Sequence, residues 1–442
     1  MDHARNPVLS GSLGRAIWHV AVPAAAIQIL VFLNNVVDYY WIQKLGEEAA
    51  AGQTQGWTIF WMLASIGQIF STGTTAIVAR RVGEGRLDAA SSAATHAVRG
   101  ALMGAVVVAI AGYFLVPFVA ENNASSARAG RYTLDYLETL CIGAPFIFFF
   151  YVFEGTFKGR GDMRRPLRAV ATSVGLNMFL DPLFIFTFGL EVRGAALATV
   201  VAFGFTGSIL AVTAWRRQWI TRARGVDFGL VRRVVRIGTP VSIHGIVFSF
   251  VYIFIVREVN LAGGDPAAAA LGLGLRVEGL AFLVGVGFAI AAATVVGQNL
   301  GANRIDRAHR GAWMAVRYAM YFSGAWGLFL LVVPASAVAW VSPGALAAHY
   351  ATHYFHIVAI SLAFTAVEIV LEGAFSGAGD TLPPMLLGIP FTLLRIPAAM
   401  IASRGLGYGV AGIFWALTLT SVIRGLLFAF WFARGKWIHA KA

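Results

Sequence analysis

The apolar residues of this chain fall in blocks of about 20, separated by short segments that carry most of the charges. A helix of about 20 residues spans the roughly 30 Å hydrocarbon core of a bilayer. A membrane barrel would show alternating segments of roughly 10 residues instead. The pattern therefore predicts twelve transmembrane helices, at 16–43, 53–79, 97–119, 130–155, 167–189, 194–215, 237–258, 270–295, 313–334, 350–374, 383–404 and 409–432.

Composition supports the same class. Of the 442 residues, 58% are apolar and only 12% are charged, which is too few to give a soluble protein of this size a charged shell. The single cysteine excludes an intramolecular disulfide. We therefore expect an all-α membrane protein.

The net charge of +13 is unevenly placed. Lys and Arg crowd into one alternate set of loops and into both termini, whereas the opposite set holds only Lys44, Arg128, Arg131, Arg193, Arg257 and Arg404. The positive-inside rule then predicts a multi-pass protein of the cell (cytoplasmic) membrane with both termini and the loop 216–236 in the cytoplasm. The basic residues indicate topology and contact with anionic membrane lipids, and we expect no nucleic-acid partner.

The two halves of the chain repeat each other at an offset of 218 residues. Glu154–Asp162 recurs as Glu372–Asp380, and Gly83 matches Gly301. Since each half holds six helices, both copies have the same orientation. The repeat predicts two pseudo-twofold-related six-helix bundles (1–215 and 237–442) joined by a cytoplasmic basic linker (216–236), with substrate bound between them.

The repeated glycine-rich segments follow transmembrane helices rather than strands, and neither completes a phosphate-binding pattern. We interpret them as tight turns between helices, and Glu154 and Glu372 as turn or gate residues. The sequence shows no nucleotide or cofactor site, so transport would draw on an ion gradient. The lone histidine of helix 7, His244, is interpreted as packed or hydrogen-bonded, and no histidine set indicates a metalloenzyme.

Ionisable groups inside hydrocarbon are costly, so each is a functional candidate. Asp38 on helix 1 and Asp181 on helix 5 fall at similar depth in the extracytoplasmic half, each one turn after an asparagine, Asn34 and Asn177. Two further polar residues are expected at comparable depth, on helices 4 and 6. These are Tyr136 and Thr199.

Two carboxyl groups that lie together in a medium of low polarity titrate as one unit and can hold a proton near neutral pH. The same oxygens could instead coordinate Na⁺ at Asp38, Asn177, Asp181 and Thr199, and we expect no other metal ion. Pro23 and Pro182 are expected to kink their helices. The alternative is that both acids serve only as hydrogen-bonding groups between helices.

The second half does not duplicate this site, because Asn177 maps onto Arg395 and Asp181 onto Ala399. Its intramembrane charges are Arg276, Glu278, Glu368 and Arg395. We expect these four residues to neutralise one another in a polar network, since unpaired buried charge is expensive; substrate binding is the alternative.

Several motifs together resemble the multidrug and toxic compound extrusion (MATE) family, in its DNA-damage-inducible protein F branch. They are Asn34-Asn35-Val36-Val37-Asp38 after Pro23, Gly297-Gln298-Asn299-Leu300-Gly301, the two Gly-rich turns, and Asn177 with Asp181-Pro182. The resemblance covers nearly the whole chain. It implies efflux of cationic or amphipathic drugs in exchange for H⁺ or Na⁺ by alternating access, with no enzymatic activity.

In that branch, the resemblance implies that the coupling-ion site lies in the N-terminal lobe. Asp38, Asn177, Asp181 and Thr199 match its cation-binding positions, with Tyr136 and Pro23 beside them. The main alternative is a lipid-linked saccharide flippase of the same superfamily, whose cavity arginines would face a pyrophosphate; only Arg276 and Arg395 qualify here. A membrane-embedded enzyme or a passive channel is a further alternative. We expect a monomer that handles organic cations.

Overall fold

The computed structural model describes residues 7–123, 126–222, 225–333, 335–341 and 344–440. Within these ranges every regular element is a helix. Parts of the predicted lobes and linker lie outside the described residues, at 1–6, 124–125, 223–224, 334, 342–343 and 441–442. The long helices that follow are named in chain order.

In the first half α1 is Leu13–Gln43, α2 is Glu47–Gly83 and α3 is Leu87–Asn123. The fourth helix, α4, has two segments, Ala127–Ile142 and Ala144–Arg160, that meet at a bend of 54°. It is followed by α5 at Arg164–Pro182 and α6 at Glu191–Arg216.

The second half begins with one long helical segment, Phe228–Gly301, which leaves helical geometry at Gly264 (φ 65°, ψ −165°). As a single helix its 74 residues would extend about 110 Å, far more than a bilayer. We therefore divide it into α7 (228–263) and α8 (265–301). Then come α9 at Ile305–Val332, α10 at Ala345–Ala378, α11 at Leu382–Met400 and α12 at Gly409–Ala433.

The number of crossings agrees with the sequence. Among the described residues, 10 helices are long and apolar enough to cross a membrane, and the bent pair that forms α4 adds one more. Division of Phe228–Gly301 at Gly264 adds the twelfth. The all-α membrane fold predicted from the hydropathy pattern is confirmed.

Several predicted boundaries were wrong. Helices 3 and 9, expected from residues 97 and 313, begin at Leu87 and Ile305. Their first turns contain Asp88 and Asp306, and acidic side chains are favourable at the positive end of the helix dipole. Hydropathy locates only the apolar part of a helix, so it misses polar turns of this kind.

Short distances recur at the 218-residue offset. A Cβ on Gly155 would lie 2.4 Å from the Ser71 carbonyl oxygen, and one on Gly373 would lie 2.3 Å from that of Ala289. These glycines allow α4 to approach α2, and α10 to approach α8, backbone to backbone. Small residues allow such close packing of membrane helices.

The repeated Gly-rich turns close their helices in the same way. Gly161 and Gly379 adopt left-handed φ values of 75° and 82°. In each turn the next residue donates its backbone N–H to a carbonyl five positions earlier, at 3.1 Å from Asp162 to Phe157 and at 3.0 Å from Asp380. This is the usual glycine-capped helix end, so their structural interpretation agrees with the geometry.

The same offset appears where α5 and α11 end. Five-residue π-helical turns follow them, at Leu183–Thr187 and at Ile401–Gly405. The first follows Pro182, but the second follows Met400. The irregular turn is therefore a property of the repeat, and the proline alone does not explain it.

The two halves meet through α1 and α2 on one side and α7 and α8 on the other. A Cβ on Gly83 would lie 1.9 Å from the Gln298 carbonyl oxygen, and one on Gly301 would lie 2.0 Å from that of Arg80. Side chains add to this contact, since Gln298 Nε2 donates to the Gly159 carbonyl at 2.8 Å. All of these residues lie at helix ends that the charge pattern assigns to the cytoplasm.

Towards the opposite side, the same helix faces become exposed. Trp61 and Met62 continue the α2 face of Ser65 and Ile69, and they are 46% and 42% exposed. One buried apolar cluster joins both halves near the close contacts, whereas a second, around Val251, contains only residues of the second half. The halves are therefore packed together on the predicted cytoplasmic side and separated by a cleft towards the other side.

Candidate functional site

The two predicted acids of the first half lie together. In α1, Asn34 Nδ2 donates to both carboxylate oxygens of Asp38, at 3.1 and 3.2 Å. In α5, Asn177 and Asp181 occupy the facing positions one turn apart, and both are fully buried. The 3.6-residue period places each asparagine and aspartate on one helix face, and the packing of α1 against α5 brings the two faces into contact.

The carboxyl groups of Asp38 and Asp181 lie close enough to hydrogen-bond to each other when one of them is protonated. With its amide nitrogen turned towards them, Asn177 donates to Asp38 Oδ1 at 2.8 Å and to Asp181 Oδ2 at 3.3 Å. The remaining oxygen, Asp181 Oδ1, is buried without a hydrogen-bond partner in the described structure. A hydrogen bond between two carboxyl groups requires that one of them is protonated. The arrangement therefore favours binding of one proton by the pair.

Tyr136 and Thr199 have different relations to the acids. Tyr136, on α4, is buried near both carboxyl groups, and its hydroxyl is hydrogen-bonded to Gln53. Gly56 allows the close approach of this ring, since a Cβ there would lie 2.5 Å from Tyr136 Cδ1. Thr199 is buried on α6, but among the described residues its hydroxyl makes no hydrogen bond to either acid.

Pro23 does not lie beside the acids. It is buried in α1, 15 residues before Asp38, which is about 22 Å along a helix. Any influence of Pro23 on the acid pair must therefore pass through the bending of α1. The placement beside the site that the resemblance implied does not agree with the structure.

The predicted second-half network of Arg276, Glu278, Glu368 and Arg395 forms only in altered form. Glu368 pairs with Arg424 at 2.7 Å, and both are buried. Glu278 accepts a hydrogen bond from the Tyr354 hydroxyl at 2.7 Å. None of the four forms an ion pair with another of the four among the described residues, so the expectation of direct mutual neutralisation was wrong.

Arg395 and Arg276 have no carboxylate partner within 4 Å among the described side chains. Arg395 donates instead to hydroxyls of α12, at 2.7 Å to Ser421 and 3.3 Å to Thr420. Arg276 is exposed on α8. Sequence spacing could not show this, because it does not tell which intramembrane charges face one another.

Sequence reasoning missed Arg424, although it interrupts an apolar block on α12 and meets the criterion that selected Arg395. It also did not identify the partner of His244, whose Nδ1 lies 3.3 Å from Glu372 Oε1. The expected hydrogen-bonded role of His244 agrees with this contact. Thr392 joins the two groups, since Arg424 Nη1 donates to its hydroxyl at 2.7 Å and His244 Nε2 lies 3.5 Å from it.

Glu154 and Glu372 are not turn residues. Both lie inside their helices, about two turns before the glycine caps. Glu154 pairs with Lys158 at 2.8 Å and accepts from Ser71 at 3.3 Å, while Glu372 contacts His244. The sequence placed both acids near helix ends and could not show that they face into the lobes.

The fold has two six-helix halves around a cleft, and one half buries two acids that form no ion pair among the described residues. This arrangement is typical of a secondary membrane transporter. The MatE family model matches residues 23–183 and 240–401, once in each half. The chain belongs to the MatE family. The matches begin at Pro23 and Pro240, the pair that aligns in the internal repeat with a slip of one residue.

Individual relatives extend over almost the full chain. A probable multidrug resistance protein NorM of Thermotoga maritima is 25% identical over 435 residues, covering 95% of this chain and 92% of that protein. An FAD transporter of Shewanella oneidensis is 25% identical over 447 residues, covering 96% and 95%. An outward-facing structure of a multidrug resistance MATE family transporter superposes with a TM-score of 0.91 at 23% identity, covering 97% of both chains.

Proposed function

We propose that this chain is a secondary active efflux antiporter of the cytoplasmic membrane that exports amphipathic small molecules in exchange for H⁺. The supporting observation is the burial of Asp38 and Asp181 side by side, with one carboxylate oxygen of Asp181 left without a hydrogen-bond partner among the described residues. None of the described Lys, Arg or His side chains forms an ion pair with either acid. A proton is therefore the group that can neutralise the pair as the lobes move.

The proposed cycle follows from the cost of buried charge. When the cleft is open on the outer side, protonation of the pair removes its negative charge and allows α1 and α5 to pack tightly. Release of the proton to the cytoplasm restores the charge and favours uptake of substrate from the inner side. Asn34 and Asn177 stay hydrogen-bonded to the carboxyl groups in both states, and Tyr136 closes the site from α4.

Substrate class is proposed from the relatives and the cleft. The T. maritima relative is named for multidrug resistance, and the S. oneidensis relative for FAD transport. Exposed aromatic and apolar side chains, including Trp61 and Phe248, line the cleft faces. We infer small, flat, amphipathic substrates. The oxygen-rich side chains of this site could also bind Na⁺, so exchange for Na⁺ in place of H⁺ is the variant of this proposal.

The coupling proposal is tested with Asp38→Asn and Asp181→Asn. Either change keeps side-chain volume and removes a titratable group, so the protein should still insert and bind substrate while gradient-driven efflux falls to background. Transport of ethidium is measured in proteoliposomes with the pH gradient and the Na⁺ gradient imposed separately. Glu84→Gln, on an exposed helix end far from the pair, is the matched control and should keep full activity.

If the double Asn variant still accumulates ethidium against its gradient under either force, the first-half coupling site is wrong. If the wild-type protein responds to Na⁺ alone, the site is right but the ion is Na⁺.

A second candidate is the lipid-linked saccharide flippase considered above. It is favoured by Arg276 and Arg395, which have no carboxylate partners in the described structure. Flipping of a fluorescent lipid-linked sugar in vesicles, without any ion gradient, would support it over antiport.

A further inference from the structure

The second-half wall of the cleft can be traced along α7. Gly238 faces α2, since a Cβ there would lie 2.0 Å from the Ile69 carbonyl oxygen, and Ser242 Oγ donates to the Ser65 carbonyl at 2.7 Å. Further along α7, Phe248 and Tyr252 lie one turn apart on the side of the helix that meets Arg395 of α11, with their ring centres 4.5 Å apart. A Cβ on Gly245 would lie 3.5 Å from Ser65 Oγ of α2, and both rings lie further along α7 than this contact, towards the open side. Phe248 is 37% exposed.

Arg395 lies directly behind these two rings. Its guanidinium carbon is 5.9 Å from the Phe248 ring centre and 6.0 Å from that of Tyr252. The residue is only 4% exposed, and its Nη1 is buried without a hydrogen-bond partner among the described residues. A buried N–H group without a partner carries a full desolvation cost, and on a cation it is a ready donor to an anionic acceptor.

The charged groups around Arg395 do not cancel it. Arg424 is the other nearby cation, and its charge is satisfied by Glu368. Glu278 is the acid that acts on Arg395, but its carboxylate is bonded to the Tyr354 hydroxyl rather than to the guanidinium. Glu372 is bonded to His244. The carboxylates of this lobe are thus occupied by other partners.

A second cation lies on the same wall. On α8, a Cβ on Gly287 would lie 2.8 Å from the Ala21 carbonyl oxygen of α1. About two turns along this face from Gly287 lies Leu280, which is 38% exposed, and about three turns from Gly287 lies the exposed Arg276. One wall of the cleft therefore presents Arg276 and, behind two aromatic rings, Arg395.

We propose that this wall, formed by Arg395, Phe248, Tyr252 and Arg276, is a subsite for the carboxylate or phosphate group of a flat aromatic substrate. The aromatic rings stack on the substrate, and Arg395 Nη1 donates to its anionic oxygen once the rings part. This inference rests on the proposed transport function, and it adds to the substrates of that proposal molecules that carry an anionic group in addition to the apolar body. At the position that repeats Arg395, the first half has Asn177, which lies beside the carboxyl groups of Asp38 and Asp181, so the two lobes differ in polarity.

The test uses riboflavin and flavin mononucleotide, which share one ring system and differ by a phosphate. Binding is measured by flavin fluorescence with the purified full chain in phosphatidylcholine nanodiscs at low salt and without any gradient. We expect the phosphorylated flavin to bind about tenfold more tightly. Arg395→Met should remove this preference, Arg395→Lys should keep part of it, and neither should change riboflavin binding much.

Arg128→Gln is the matched control, because Arg128 is exposed and lies at a helix end of the first half, paired with Glu48 at 3.6 Å. It removes the same charge and should keep the preference. Norfloxacin, which carries a carboxylate, against its ethyl ester should reproduce the result for the carboxylate arm. Riboflavin binding in each variant also shows that it is folded.

Equal affinity for the two flavins, or a preference that survives in Arg395→Met, would overturn the proposal. A preference that appears in phosphatidylcholine and disappears in phosphatidylglycerol nanodiscs would overturn the substrate assignment and give the subsite to an anionic lipid headgroup. Because no gradient is applied, these outcomes are independent of the Asp38 and Asp181 transport assay, and either proposal can fail alone.

Discussion

At the scale of residues, the two halves use buried charge in opposite ways. In the first half, Asp38 and Asp181 are buried together with amide groups only, so the free energy of the pair depends on a proton or cation. In the second half, Glu368 and Arg424 neutralise each other. The first arrangement responds to an ion gradient, whereas the second is suited to a fixed scaffold.

The scaffold role gives a prediction for the buried pair. Glu368→Gln or Arg424→Met alone leaves one charge in a site of low polarity and should destabilise the protein by about 3–5 kcal/mol. The double change should cost much less, because no unpaired charge remains. Thermal unfolding of the purified protein in detergent, followed by tryptophan fluorescence, measures both effects.

Arg128→Gln provides the comparison, since both Arg128 and its partner Glu48, at 3.6 Å, are exposed. Its removal should hardly move the unfolding midpoint, because surface ion pairs contribute little. If the double variant is no more stable than the single variants, the pair is not an isolated scaffold element.

At the scale of elements, the glycines that bring helices together decide how the lobes meet. Gly83 and Gly301 lie on α2 and α8, each with its Cα against a backbone carbonyl of the other helix. This contact is reciprocal, as a twofold relation between the halves requires. It joins the lobes through backbone packing, which a single added methyl group can disturb.

We therefore expect Gly83→Ala and Gly301→Ala to open the predicted cytoplasmic side. Added Cβ atoms 1.9 and 2.0 Å from carbonyl oxygens cannot be accommodated without separation of α2 and α8. Spin labels at Arg86 and Arg310, in a Cys141→Ser background, should show a longer distance by pulsed electron resonance. Gly175→Ala is the matched control, because no atom lies within 4 Å of its Cβ position.

Unchanged label distances in both alanine variants would show that this contact does not hold the lobes together. A longer distance in Gly175→Ala as well would show a nonspecific effect of alanine on the helices.

At the scale of the whole molecule, orientation decides the direction of transport. The charge pattern puts the loop after α6 in the cytoplasm and the start of α4 outside. A membrane-impermeant maleimide should label Arg222→Cys only after cells are opened, and Arg128→Cys in intact cells, again without Cys141. Both positions are exposed in the described structure.

Reversed labelling would invert the predicted topology, and with it the assignment of the closed side of the molecule to the cytoplasm. Membership of the MatE family would not be affected, because it does not depend on orientation.

The sequence by itself determined the class, the repeat and the acid pair. Blocks of about 20 apolar residues can satisfy their backbone groups in a bilayer only as helices, so hydropathy predicts the crossings. A constant offset of 218 residues identifies the two lobes, and one-turn spacing puts Asn34 with Asp38 and Asn177 with Asp181. The DNA-damage-inducible protein F branch, the coupling ion and the lobe boundaries stay predictions.

The tertiary structure decided which charges meet. Arg395 was expected to pair with an acid, but it donates hydrogen bonds to Ser421 and Thr420. Glu368 forms its ion pair with Arg424, a residue that the sequence analysis did not identify. Helical period fixes the face of a side chain within one helix, but the partner depends on the rotation and approach of neighbouring helices. Those are set by packing at glycines such as Gly83 and Gly301, which local sequence patterns do not encode.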